Sequence, residues 1–256
     1  MRALIVNDDG IYSAGIRALA AAMLCEGFEV NVVAPLTERS GAAHSITQND
    51  PVEVFDVSVP GLPEVPAFAI SGTPVDCVRI GAGSLFPIPD IALSGINLGT
   101  NLGVDIFHSG TVNAAAAAME KGLPAMAFSI GSHHPKHLDL AASLSAKAVK
   151  DLLPKAAEIG TLLNLNFPDL PKEQIRGIKV TVPARANPNY PFNEFISPHK
   201  RRWYWDSAAK LNEYGPDEDV DSRWFREGYI TVAPLKFDIA DRQALAFFGQ
   251  TDIGLL

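Results

Sequence analysis

The chain has 256 residues, 47% of them hydrophobic and 20% charged, which is enough for one large core or two small ones and too much for a disordered chain. Its 21 Lys and Arg against 29 Asp and Glu leave a net charge of -8, which argues against sequence-independent binding to a nucleic-acid backbone and leaves room for a local anion site. Two cysteines, Cys25 and Cys77, cannot form a disulfide framework; both lie in apolar sequence and are expected to be small buried hydrophobes in a reducing compartment.

Residues 3–6 form a short apolar run that stops at Asn7-Asp8-Asp9-Gly10. The run is too short for a signal-peptide core, and no stretch approaches 18 uninterrupted apolar residues, so a cytoplasmic chain that does not meet a membrane is expected. Its continuous apolarity predicts a strand buried on both faces. Residues 14–26 carry apolar positions at helical spacing, closed by Gly27, and residues 29–34 form a Val-rich second strand. Strand, helix and strand make a βαβ unit, so the sheet starts parallel. Residues 35–50 are polar and longer than an ordinary connection, as functional loops often are.

Strand-like runs at 52–57 and 67–70 precede a helix over 74–80, where Pro74 suits a first turn. Residues 90–93 predict another central strand, followed by a Gly- and Asn-rich loop over 94–103. Ser109-Gly110-Thr111 then opens an alanine-rich helix reaching Lys121. Further on, the pattern predicts a strand at 125–129, a helix at 138–152 and a last core strand at 162–166. From Pro183 the character changes. Tyr190, Phe192, Phe195, Trp203, Tyr204 and Trp205 lie among prolines and charges without a helical period, as in an extended arm. A strand at 229–233 and a closing helix at 241–248 complete the reading. The domains expected are a core over 1–182 and an arm and oligomerisation segment over 183–256.

Asp8 and Asp9 end the first strand, and ligands of open parallel sheets bind beyond the carboxyl ends of strands. Adjacent strand residues point to opposite faces, so the two carboxylates converge only if the chain curls there, which Gly10 permits. Two such charges about 4 Å apart repel by roughly 4 kcal/mol at an effective dielectric of about 20, so a cation would reward the curl. An Asx turn or helix cap is the competing reading. The loops at Ser40-Gly41 and 94–103 reach the same sheet edge and offer hydroxyl and amide oxygens. An all-oxygen set suits Mg²⁺ or Mn²⁺, whereas zinc would recruit His or Cys. His133, His134 and His137 are read as a solvated loop. Ser109-Gly110-Thr111 is either a phosphate-binding helix start or an ordinary cap. No P-loop, dinucleotide fingerprint or nucleophile elbow is present.

Several strings, in order, resemble the SurE family of survival proteins, which are divalent-metal-dependent nucleotidases. They are Asn7-Asp8-Asp9-Gly10, Val33-Ala34-Pro35, Ser40-Gly41 with Ser45-Ile46-Thr47, Gly72-Thr73-Pro74-Val75-Asp76-Cys77-Val78, Pro89-Asp90, Ser94-Gly95-Ile96-Asn97-Leu98-Gly99 and Ser109-Gly110-Thr111-Val112. Asn164-Leu165-Asn166 and the Tyr204-Trp205 region continue the likeness. The resemblance implies that Asp8, Asp9, Ser40 and Asn97 bind one divalent cation per subunit, Mg²⁺ or Mn²⁺, and that Asn101, Ser109, Gly110 and Thr111 contact phosphate. It also implies an α/β fold, a Rossmann-like three-layer αβα core with a mostly parallel sheet, and a C-terminal extended β arm that exchanges between subunits of a homodimer or homotetramer. Ala42-Ala43-His44 departs from a more glycine-rich stretch, Asn113 from glycine and Ala233 from threonine; substrate range is what these departures bear on.

The activity expected is hydrolysis of nucleoside 5′-monophosphates, and of 3′-monophosphates, by metal-activated water, with Asp8 or Asp9 accepting its proton. Attack by Asp8 itself is disfavoured because the acids are adjacent rather than spaced as D-x-D, and a zinc de-N-acetylase would need flanking histidines. From another class, a nucleotide-sensing oligomeric module without catalysis fits the same residues; turnover separates the two. No stable complex with a nucleic acid is expected.

Overall fold

The computed structural model describes residues 1–185, 192–206, 219–237 and 240–249. Its main sheet has nine strands: β1 (Arg2–Val6), β2 (Glu29–Pro35), β3 (Val54–Val59), β4 (Leu62–Ile70), β5 (Ile91–Leu98), β6 (Ala125–Ile130), β7 (Leu162–Phe167), β8 (Ile178–Val180) and β11 (Ile230–Leu235). They lie in the order β3-β4-β2-β1-β5-β6-β7-β11-β8. Pairing is parallel from β4 through β7 and antiparallel at β3/β4 and β7/β11. β9 (Phe192–Ile196) and β10 (Arg202–Asp206) form a separate antiparallel hairpin.

The helices are α1 (Ala14–Cys25), α2 (Pro74–Gly81), α3 (Asp105–His108), α4 (Gly110–Glu120), α5 (Leu138–Glu158), α6 (Asp221–Arg226) and α7 (Arg242–Phe248). Strand alternation divides the core between two faces. Ala3 and Ile5 pack with the buried side of α1 and α5, while Leu4 and Val6 pack with α2 and α4. The result is the expected α/β architecture, a mostly parallel sheet between helical layers.

Chain direction across the sheet reverses beside β1. After β1 the chain moves to β2 and outward, then returns to place β5 on β1's other side and continues to β6 and β7. The carboxyl ends of β1 and β5 therefore flank a topological switch point, where the loops diverge and leave a crevice.

Several local expectations need correcting. Residues 94–98, read as loop, continue β5; a register shift against β6 between Ser94 and Asn97 explains why the period-2 signal breaks there. The 138–152 helix runs on through Pro154 to Glu158, because one proline removes a single N–H and does not have to end a packed helix. Cys25 is exposed at the end of α1, and only Cys77 is buried. β8 and α6, three and six residues long, carry too few side chains for a periodic signal. Residues 230–235, beyond the boundary expected at 182, lie inside the main sheet between β7 and β8. Tyr190 lies outside the described residues.

Candidate active site at the switch point

The curl after β1 is built by Asn7 rather than by the aspartates. Asn7 Nδ2 donates to the Gly10 carbonyl at 3.0 Å and to Ser13 Oγ at 2.8 Å, and its Oδ1 accepts from Gly10 N. Gly10 itself takes φ +98°, a left-handed conformation open to glycine. Ser13 caps α1 by accepting from Ile16 N. The turn and the cap are thus both supplied by other residues, and neither carboxylate is spent on an Asx turn or a helix cap.

Asp8 is 3% exposed and faces the start of α4. The Thr111 hydroxyl donates to its Oδ1. Gly110 must be a glycine for this approach, since a Cβ there would lie 2.7 Å from Asp8 Cβ and 2.9 Å from Oδ2. Burial raises the Asp8 pKa, opposed by the Thr111 hydroxyl and by backbone N–H groups of Thr111, Asp8 and Gly110. The helix start expected to face phosphate thus already addresses one anion, and the helix dipole favours it. Ser109 is the N-cap of α4, its Oγ accepting from Val112 N at 3.0 Å.

Asp9 is pushed up to about 7, first by burial and then by the neighbouring charges of Asp8 and Glu38, with the Leu98 N–H opposing. Leu98 N donates to its Oδ2 at 3.2 Å, which ties the end of β1 to the end of β5 next to Asn97. The charges that raise Asp9 are both acidic. A buried and a part-buried carboxylate thus adjoin, and no cationic side chain among the described residues offsets them, an arrangement that marks a functional site rather than a stabilising one.

The third segment arrives through the loop after β2. Arg39 N donates to the Asp8 carbonyl at 2.7 Å, one residue before Ser40. The Ser40 hydroxyl donates to Glu38 Oε1 at 2.8 Å, which leaves its oxygen lone pairs for a cation. Asn97 Nδ2 donates to the Gly99 carbonyl at 2.8 Å, so its Oδ1 is the end left for a ligand. Among the described residues no group of three or more His, Cys, Asp and Glu gathers as a ligand set. Two carboxylates, a hydroxyl and an amide oxygen remain, all hard donors, and they fit Mg²⁺ or Mn²⁺ rather than zinc.

Asn101 is hydrogen-bonded to residues of β6 and β7 and is 6% exposed. Its N–H donates to Asn166 Oδ1 at 2.8 Å, and its carbonyl accepts from Asn164 Nδ2 at 2.8 Å and Asn166 Nδ2 at 3.1 Å. Its own Nδ2 donates to Ser129 Oγ at 2.8 Å, leaving the second amide hydrogen available. Of the histidines, His137 pairs with Asp169 at 3.0 Å. His133 is exposed but stands beside Gly99, where a Cβ would lie 3.2 Å from its Cε1 and 3.6 Å from Asn97 Nδ2. Sequence reasoning missed Glu38, Ser129, Asn164 and Asn166 as parts of this site. The signal for the last two was present, since polar residues two apart in an apolar strand share one face.

The family model described as "Survival protein SurE" matches residues 3–189. The chain belongs to the SurE family. It is 36% identical over 252 residues to a protein of Synechococcus elongatus named 5'-nucleotidase SurE, covering 96% of this chain and 97% of that one. A protein of Erwinia tasmaniensis named 5'/3'-nucleotidase SurE is 41% identical over 250 residues, covering 95% and 93%. The crystal structure of SurE protein from Aquifex aeolicus superposes with a TM-score of 0.81 at 33% identity, covering 97% of this chain and 100% of that one. The SurE family implies a divalent metal, which the donor set at the switch point suits. Among the described residues no helix is long and apolar enough to cross a membrane.

Proposed function

We propose that this SurE protein is a divalent-metal-dependent phosphomonoesterase that hydrolyses nucleoside 5′-monophosphates, and 3′-monophosphates as a second activity, to nucleoside and phosphate. The observation that carries the reading is the meeting of Asp8, Asp9, the Asn97-Leu98 strand end and the Ser40 loop at the switch point of a SurE chain. Asp8, Asp9, Ser40 and Asn97 hold the cation. When bound, it supplies an electrophilic contact for phosphoryl oxygens and a water of lowered pKa.

The chain's own groups do the rest. Asp8 is engaged by Thr111, so it acts as the fixed anchor of the site. Asp9 uses Oδ2 for Leu98 N, and its other oxygen has no hydrogen-bond donor among the described residues; it takes the proton of the attacking water. Asn101, with Ser109, Gly110 and Thr111 at the start of α4, forms the wall on which the phosphate is held in line. Self-association through the hairpin of β9 and β10 belongs to the same reading and is supported by its aromatic face. On that face Phe195, Trp203 and Trp205 are 56%, 60% and 74% exposed.

The test is phosphate release from AMP and from 3′-AMP by full-length protein. Mn²⁺ or Mg²⁺ should give sustained turnover that EDTA abolishes and added metal restores. Nucleotide binding without release would favour the sensing module instead.

A further inference from the structure

Asp221 is a carboxylate that the proposed chemistry does not use, and it is 0% exposed. Its partners are three backbone N–H groups from separate places. Oδ2 accepts from Gly103 at 2.8 Å, and Oδ1 accepts from Ala184 at 3.0 Å and from Ser222 at 2.7 Å. Gly103 is two residues beyond Asn101, in the loop assigned to phosphate. Ala184 lies where the chain leaves the core toward the hairpin, and Asp221 lies where it returns. Asp221 N also donates to the Val182 carbonyl at 3.0 Å, beside a bridge between Val182 and Val220. One buried side chain therefore joins both roots of the arm to the loop that carries Asn101.

The same loop is also held from the sheet. Asn101 is held by Asn164 and Asn166 of β7, and Leu102 is buried at 2% exposure. Among the described residues the hydrogen bond from Gly103 to Asp221 is what links this loop to the segment after residue 182. Burying a carboxylate is costly unless charge-assisted hydrogen bonds satisfy it, and a structural role alone would be met more cheaply by a neutral acceptor. An ionised carboxylate offers acceptors in two directions at once, which a neutral amide does not.

We propose that Asp221 is a positioning residue that couples the root of the C-terminal arm to the phosphate-binding loop through Gly103. The inference rests on the phosphomonoesterase reading above. Asp221→Asn is a selective probe. An asparagine has one acceptor oxygen, which satisfies Ala184 and Ser222 together if it replaces Oδ1, and its NH₂ then opposes the Gly103 N–H. The arm root stays tied while the loop is released.

In full-length protein with Mn²⁺, Asp221→Asn should raise the inhibition constant of inorganic phosphate and the KM for AMP about tenfold, the scale of one lost hydrogen bond to a charged group. The Mn²⁺ affinity should stay within about twofold, because the cation donors hang from β1, β2 and β5. A merely structural defect would weaken metal, phosphate and melting temperature together, and that result overturns the proposal, as does an unchanged phosphate constant. Should the variant not fold, hydrogen exchange on the wild-type protein decides. Inorganic phosphate should slow exchange at 101–104 and at 182–184 and 220–222 together; slowing at 101–104 alone overturns the coupling. Wild-type protein that binds no phosphate would overturn the phosphomonoesterase reading and this inference with it, whereas a failure confined to Asp221→Asn leaves that reading standing.

Discussion

The rim between β1 and β5 and the hairpin of β9 and β10 are opposite kinds of surface. At the rim, Asp8 is buried and Asp9 half-buried, and desolvation raises both pKa values. On the hairpin, register places Phe195 opposite Trp203, and Asn193 opposite Trp205, on one exposed face. On the hairpin's other face a polar cluster lies between the exposed Phe192 and Ile196, with Glu194 accepting from Arg202 Nε at 2.5 Å and from the Tyr204 hydroxyl at 3.2 Å. Charge without a counter-charge and apolar surface without cover are both unfavourable in a single chain in water. The rim asks for a cation and the hairpin for a second apolar surface, so the two regions should respond to different additions.

The largest effect is expected of Asp8→Asn. Phosphate release from AMP should fall by about a thousandfold or more, the scale of losing a member of a catalytic unit. The metal-free variant should melt no lower than the parent, since an uncompensated buried charge has gone. A variant that melts well below the parent would mean that Asp8 is structural. Next in size is replacement of both Trp203 and Trp205 by serine. Buried aromatic anchors cost about 2 kcal/mol or more each when removed, so the species seen by analytical ultracentrifugation should shift toward monomer while Mn²⁺ affinity is kept. Unchanged mass would show that the hairpin covers nothing.

The smallest effect expected is one of pH. Asp9 is raised from 3.8 to about 7, so its contribution to stability without metal is present at low pH and is lost as pH rises through about 7. The metal-free melting temperature should therefore climb as pH is lowered from 8 to 6, read by scanning calorimetry. Mn²⁺, which needs the ionised carboxylates, should stabilise more at pH 8 than at pH 6. Equal stabilisation at both values would place the cation away from Asp9.

Much of this arrangement was legible in the sequence where local signals suffice. The βαβ opening, the curl at Gly10 and the placement of Asp8 and Asp9 at a strand end follow from apolar runs and chain direction. The resemblance added Ser40 and Asn97, and the structure brings their segments to the same rim through Arg39 N and Leu98 N. What escaped depends on distant partners. Nothing near Asp221 in the sequence announces Gly103, 118 residues away. The insertion of β11 between β7 and β8 is likewise a choice of pairing that strand propensity does not encode. Cys25 was misjudged because an apolar neighbourhood in sequence says little about which way the last turn of α1 faces.

The proposed chemistry needs one cation held by oxygens from three segments. Anomalous scattering from crystals of the full-length protein soaked in Mn²⁺ should show a single strong peak per subunit bonded to Asp8, Asp9, Ser40 and Asn97. A peak elsewhere, or none at this rim under conditions that support phosphate release, would contradict it.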